Sequence, residues 1–299
     1  MKPLVSIACI TYNHEDYIRQ CLDGLVMQKT NFSFEIVIHD DASTDATASI
    51  IKEYCNNYPE LFVPILQSQN KYKEGKGILL PYVYPQCNGK YIALCEGDDF
   101  WIDPLKLQKQ IDFLEKNENY SMCFHSAKVY NESNYNFSYE ELTNRQYSVS
   151  ELFEKWIVPT ASIVFKKDII KFIITDPRII NGDILLALAC AHQGNIYGMK
   201  DPMSVYRVHN NGLTLKRVRE NNIALQFSYL AHYKCLYDNY KLITYRSYSK
   251  KIADTYLNLS ISFFRSSYYI KSLCYLVCAL LYNPFQVFRR IRHKITKYE

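Results

Sequence analysis

The chain has 299 residues, 48% of them hydrophobic and 15% aromatic, with only nine glycines, which excludes both a disordered chain and a collagen-like one. Its 35 Lys and Arg exceed its 30 Asp and Glu by five, but the excess is unevenly placed. Residues 1–213 hold 20 basic and 26 acidic side chains, a net of −6, whereas 214–299 hold 15 and 4, a net of +11, so the mild total hides two oppositely charged parts. The length suits one large or two modest domains.

In chain order, Val5, Ile7, Cys9 and Ile10 make a short β-rich run that stops at Thr11-Tyr12-Asn13. Ile18, Cys21, Leu22, Leu25 and Val26 then recur at helical spacing. Phe34 to Ile38 reads as a second buried strand, ends in His39-Asp40-Asp41-Ala42-Ser43, and leads into a helix carrying Ala46, Ile50, Ile51 and Tyr54. Phe62 to Leu66 and Tyr91 to Cys95 are further strands, and Asp103-Pro104 opens a helix through Leu107, Ile111 and Leu114, with proline at its first position. This alternation predicts an α/β fold with a mainly parallel sheet flanked by helices. Residues 121–215 are less regular: a polar, Asn- and Tyr-rich stretch from 130 to 147, a strand over 161–165, a helix over 183–192, and loops over 196–215. After Gly212 the chain reads as helical, with no strong breaker before Pro284.

In an open parallel sheet, ligands bind beyond the carboxyl ends of the strands. Three such ends here offer Thr11, Tyr12 and Asn13; Asp40 and Asp41; and Glu96, Asp98 and Asp99. Neither GxGxxG nor GxxxxGK[ST] occurs, so a dinucleotide fold and a P-loop are unsupported. Asp98-Asp99 is a hard oxygen site suited to Mg²⁺ or Mn²⁺ shared with phosphates, or else a pair of loop carboxylates capping the helix near Asp103. Lys71, Lys73 and Lys76 form a basic loop, either solvated or set against a diphosphate. His39 and His125 read as core histidines. Trp101 either shapes a pocket or packs.

Read together, VSIACITYN, EIVIHDDASTDAT, GKYIALCEGDDFW, NGD at 181–183 and MSVYRVH at 203–209 resemble, in order and spacing, the family 2 glycosyltransferases of GT-A fold. The resemblance covers roughly residues 3–215. It implies a nucleotide-sugar donor, most simply a UDP-sugar, and transfer with inversion to a glycan or lipid-linked glycan in surface polysaccharide biosynthesis. It places Thr11, Tyr12 and Asn13 against the nucleotide, Asp41 at the uracil edge with Asp40 beside it, Asp98 near the ribose and first phosphate, and Asp99 on the Mg²⁺ or Mn²⁺. Glu96 would stand for the first acid of the family's D-x-D. Asp183 matches the catalytic base, or merely caps its helix. Arg207 would hold the diphosphate and His209 the metal, or both lie on a surface loop. The Q-x-x-R-W signature of processive synthases is absent, which implies one sugar per encounter. The rival readings are a catalytically silent nucleotide- or sugar-binding scaffold and a nucleotidyltransferase, though the latter's Gly-rich basic loop is missing from TYNHE.

Under this reading a GT-A domain fills residues 1–215, with a nucleotide half to about 127 and an acceptor half from 128, and 216–299 form a basic helical extension. Ten cysteines without a CxxC pair, most in apolar runs, predict reduced thiols. The start MKPLVSIACITYN lacks the pattern of a secretory signal, and the longest uncharged apolar run, Leu273–Tyr282, has ten residues against the ~20 of a spanning helix. A cytoplasmic enzyme is expected, peripheral on the membrane if residues 270–297 lie in an anionic interface. The alternatives for that segment are packing on its own domain or on a second subunit. Nucleic-acid binding lacks a recognised module.

Overall fold

The computed structural model describes residues 2–75, 77–133, 137–212, 215 and 222–295, with side chains to residue 292. Lys76, Lys297 and residues 216–221 at the start of the basic part lie outside the described residues. The chain forms two compact units: one of Met1–Ser148, Ile157–Ile173 and Ala189–Asn210, the other of Val149–Trp156, Ile174–Leu188 and Asn211–Glu299.

The first unit is built on a nine-stranded sheet. Strands β1 (Val5–Thr11), β2 (Phe34–Asp40), β3 (Phe62–Leu66) and β4 (Tyr91–Glu96) are parallel in the order β3-β2-β1-β4. Residues along β1 alternate between faces, and Val5, Ile7 and Cys9 join one core with Ile36, Ile38, Ala93 and Cys95. That core is closed by Ile18, Leu22 and Leu25 of α1 (Ile18–Val26), Ile51 and Tyr54 of α2 (Thr47–Asn57), and Leu107, Ile111 and Leu114 of α3 (Lys106–Lys116). Each fully buried aliphatic side chain contributes about 1.5–3 kcal/mol, and their concentration here holds the strand ends rigid.

Beyond β4 the sheet is mixed. β8 (Val164–Lys166) runs antiparallel to β4 and to β6 (Tyr120–Asn131); β6 is parallel to β9 (Asn195–Val208); β5 (Phe100–Trp101) and β7 (Arg145–Tyr147) pair antiparallel with β9. The long β6–β9 ladder replaces the irregular stretch expected there. A register shift between His125 and Ala127 bulges residues 200–203 out of the ladder, which accommodates Pro202, a residue without an N–H to donate. Pro104 does not start α3. The helix begins at Lys106, after a turn in which Asp103 Oδ1 accepts from Leu105 N.

The second unit is mostly helical: α4 (Val149–Glu154), the start of α5 (Gly182–Gln193), α6 (Ile223–Asn239), α7 (Tyr245–Arg265), α8 (Tyr269–Tyr282) and α9 (Pro284–Ile295). Ala253, Leu257, Ala279 and Val287 form one buried cluster in it, and Glu154 ties α4 to α7 by accepting from Ser247 Oγ at 2.8 Å and Lys250 Nζ at 2.6 Å. Among the described residues no single helix is long and apolar enough to cross a membrane. All ten cysteines are free.

Candidate functional site

The strand order reverses between β1 and β4, and the polar ends of both strands meet there. Gly97 follows β4 and donates its N–H to Ile10 O at 2.9 Å. A Cβ on Gly97 would lie 2.7 Å from Cβ and Oγ1 of Thr11 and 3.0 Å from His14 Nδ1, so only glycine lets this turn approach β1 so closely. The turn closes with Asp99 N–H donating to Glu96 O and sends its two carboxylates to different places.

Asp98 Oδ2 lies 3.1 Å from His209 Nε2 and 3.7 Å from His14 Nε2. Burial pushes this carboxyl up, but the His209 hydrogen bond and the charges of His14 and His209 outweigh it and hold it below the ordinary carboxylate range. Asp99 is 1% exposed. Its Oδ1 accepts from Arg207 N at 2.9 Å, and its Oδ2 is buried without a partner among the described residues. Burial first, then the charges of Asp98 and Glu96, push Asp99 well above that range.

β9 delivers the other wall. Arg207 is no surface residue: it is 6% exposed, its Nη1 donates to Asp98 O at 2.8 Å, its Nη2 donates to Gln20 Oε1, and its guanidinium lies over the rings of Phe100 and Tyr17 at 4.6 and 5.1 Å. The fork expected to grip a diphosphate is therefore engaged in holding the 98–99 turn to α1. His209, 3% exposed, packs its ring 4.6 Å from that of Tyr17. The surface-loop alternative fails for both residues because both side chains are buried.

The nucleotide-side residues divide in the same way. Thr11 is buried, its carbonyl accepts from Asp41 N at 3.0 Å, and its Oγ1 has no partner among the described residues. Tyr12 is 40% exposed. Asn13, at φ +54, accepts on Oδ1 from Thr44 N at 2.8 Å and donates its own N–H to Ser43 Oγ, so its amide oxygen braces the 42–45 loop. Asp40 accepts from Ser43 Oγ and Ser43 N and fixes the same loop. Asp41 accepts from Lys71 N at 2.7 Å and Tyr72 N at 3.0 Å, so a base edge reaching it would share a carboxylate already bonded to the 71–74 turn. Lys71 itself pairs with Glu74 at 2.8 Å.

Asp183 lies in the second unit, in the first turn of α5. It is not the cap: Asn181 Oδ1 accepts from Asp183 N at 3.1 Å and from Ile184 N at 3.4 Å. Trp101 is 1% exposed and donates Nε1 to Ala161 O at 2.8 Å, which makes it a packing residue. His39 and His125 are fully buried, as expected of core histidines.

Asp98 and His209, side by side at the strand ends, are donors of the kind that suit a divalent cation keeping several outside ligands. Among the described residues no three His, Cys, Asp or Glu side chains form a closed chelate, so oxygens from a substrate or water would complete the shell. The partnerless buried atoms around the turn, Asp99 Oδ2 and Thr11 Oγ1, fit a centre whose polar groups await such a ligand.

Residues 6–174 match the family described as Glycosyl transferase family 2. The chain belongs to glycosyltransferase family 2. Among curated relatives, it is 38% identical over 211 residues to the uncharacterized protein Rv1520 of Mycobacterium tuberculosis, covering 70% of this chain and 60% of that protein; it thus spans about 60% of the length of that relative. It is 31% identical over 113 residues to the putative teichuronic acid biosynthesis glycosyltransferase TuaG of Bacillus subtilis, covering 38% of this chain and 42% of TuaG. Solved structures share the GT-A fold: TarS of S. aureus in complex with UDP-GlcNAc, at 15% identity and TM-score 0.60 over 91% of this chain and 90% of that one. The mannosyltransferase PcManGT of Pyrobaculum calidifontis, in complex with GDP-Man and Mn²⁺, gives 15% and 0.61 over 96% and 83%.

Three residues of this candidate site escaped the sequence reading: His14, Tyr17 and Gln20. All follow the first strand in TYNHEDYIRQ, and their role depends on contacts with Asp98, Arg207 and His209, more than 80 positions away. The signal available was a histidine and two polar groups at the start of a helix beside the strand end, a pattern too common to single out.

Proposed function

We propose that this glycosyltransferase moves a sugar, with inversion, from a UDP-sugar to a glycan or lipid-linked glycan in surface polysaccharide biosynthesis, as a cytoplasmic, non-processive enzyme. The observation that carries the reading is the Asp98–His209 pair, with His14 beside it, on a turn that Gly97 packs against the end of β1. TuaG's name supports the polysaccharide context, and the UDP-GlcNAc and GDP-Man of the two solved structures support a nucleotide-sugar donor.

In this reading Thr11, Tyr12 and Asp41 receive the nucleoside, while Asn13 and Asp40 shape the loop around it. Asp98 and His209 hold the Mg²⁺ or Mn²⁺. Asp99 orients the turn by accepting from Arg207 N on Oδ1 and keeps its Oδ2, partnerless among the described residues, for the same cation. When bound, the cation offsets the charge that grows on the departing diphosphate. Arg207 keeps the Asp98 carbonyl fixed, which holds that carboxylate in place. Asp183 accepts the proton of the acceptor hydroxyl as that oxygen attacks the anomeric carbon on the face opposite the leaving group; the carbon–oxygen bond to the diphosphate breaks and the proton stays on Asp183.

The test is Mn²⁺-dependent release of UDP from a panel of UDP-sugars. Asp98→Ala is expected to lower Mn²⁺ affinity at least about tenfold, and Asp183→Asn to abolish turnover with donor binding retained. Asn181→Ala serves as the control: it costs about 1 kcal/mol of stability through the lost cap while turnover persists. Tight UDP binding without turnover in the wild type would favour the silent scaffold, and pyrophosphate release from a nucleoside triphosphate would favour the nucleotidyltransferase.

A further inference from the structure

The last two helices carry a surface that sugar transfer does not use. One edge of α8 is buried on α7, where Ser272 Oγ lies 3.2 Å from Ser260 Oγ and the Tyr275 ring stacks on Phe263 at 5.2 Å. The other edge presents Ile270, Leu273, Val277 and Leu281, spaced by three, four and four residues and therefore on one side of the helix. They are 83%, 61%, 46% and 79% exposed. Past the break at Asn283-Pro284, α9 adds Phe285 at 87% and Phe288 at 64%. Single exposed hydrophobes are ordinary; six from two consecutive helices mark a surface made to be covered.

The charge around this surface says what covers it. From Thr255 to Tyr298 the sequence contains no Asp or Glu and seven Lys and Arg. Arg290 is turned inward to Asp254 at 3.3 Å, whereas Lys271, Arg289 and Arg292 are exposed beside the bare hydrophobes. A second copy meeting this face symmetrically would bring the same acid-free surface against itself and oppose like charges. An anionic bilayer answers both features, with acyl chains for the apolar row and headgroups for the cations. The two helices are bent by 115° at the break, and among the described residues no single helix is long and apolar enough to cross a bilayer.

We propose that the outer face of α8 and α9, centred on Ile270, Leu273, Leu281, Phe285 and Phe288 with Arg289 and Arg292, is an interfacial docking surface for an anionic lipid membrane. This does not depend on the transfer reaction, and its test is separate. The full chain is sedimented with phosphatidylcholine vesicles with and without phosphatidylglycerol. The wild type is expected to bind only the anionic vesicles and to release as salt rises. Phe285→Ser with Phe288→Ser, and separately Arg289→Glu with Arg292→Glu, should each weaken binding at least about tenfold, with unchanged melting and donor hydrolysis. Leu281→Gln supplies a second apolar test should the Phe pair misfold. Equal binding by the variants, equal binding to neutral vesicles, or a concentration-dependent dimer abolished by the Phe substitutions with no vesicle binding would each overturn the proposal. Vesicle binding without any UDP release would leave it standing and remove only the transfer reading.

Discussion

Lys106 shows how far one residue can sit from its ordinary chemistry in this fold. It is fully buried at the first position of α3, its Nζ lies 3.8 Å from the centre of the Trp101 ring, and no hydrogen-bond partner reaches it among the described residues. Burial pulls its pKa down to about 7, with the Cys95 and Cys123 thiols opposing weakly. Unfolded, the same amine titrates near ~10.4, so between about pH 7 and 10 the unfolded chain binds more protons than the folded one. Stability then rises with pH across that window, by roughly 1.4 kcal/mol per unit for this group, and is flat from this source below it. Lys106→Met should raise stability at pH 7 and remove that slope. Urea melts at pH 7 and 9 measure both, and an unaltered slope in the variant would refute the assignment. At this scale much of the site was legible, because Thr11, Asp41, Asp98 and Asp99 sit where the strand ends were read. What sequence could not divide is the Asp98-Asp99 pair: adjacent carboxylates look equivalent on paper, yet one pairs with His209 and the other is tied by Oδ1 to Arg207 N.

The elements place these side chains, and β9 matters most because it brings Arg207 and His209 to a turn more than a hundred residues earlier in the chain. Arg207 joins three elements: its N–H goes to Asp99, its Nη1 to the carbonyl of Asp98, and its Nη2 to Gln20 on α1. A lysine keeps the charge but lacks the planar fork and the stacking on Phe100 and Tyr17. Arg207→Lys is therefore expected to cost about 2–4 kcal/mol of stability and to lower kcat more than donor affinity. Gln20→Ala in that background should add less than it does alone, since the two share one bond. A double-mutant cycle on thermal stability checks this, and strict additivity would show that the Gln20 contact carries no energy. The parallel half of the sheet was readable because β1, β2 and β4 are buried on both faces and appear as continuous apolar runs. β6 and β9 were not. Their outer ends are polar, as in Lys128 to Asn131, and β9 is interrupted by Lys200-Asp201-Pro202, which reads as a loop until the bulge opposite His125 and Ala127 explains it.

For the whole molecule, the division of charge coincides with a difference in how the two units are held. The first is organised by a core of strands and three helices in which most side chains are fully buried. The helices after residue 222 bury Leu236, Ile252, Ala253, Leu257, Leu259 and Phe263 but leave Ile270, Leu273, Leu281, Phe285 and Phe288 bare. Burial scales with apolar area, so the helical unit is expected to melt at a lower temperature, as a separate transition. Ligands sharpen the test. Every residue assigned to the nucleotide and the cation belongs to the first unit, and a ligand stabilises only the cooperative unit that binds it, by about 2.7 kcal/mol at a hundred times its Kd. For a unit of this size that is roughly 5–10 °C. Scanning calorimetry with saturating UDP and Mn²⁺ should therefore move the upper transition by that amount and leave the lower one in place. One transition that shifts as a whole would mean that the two units unfold as a single cooperative body. Two transitions that both ignore UDP would instead remove the nucleotide from the site at Asp98.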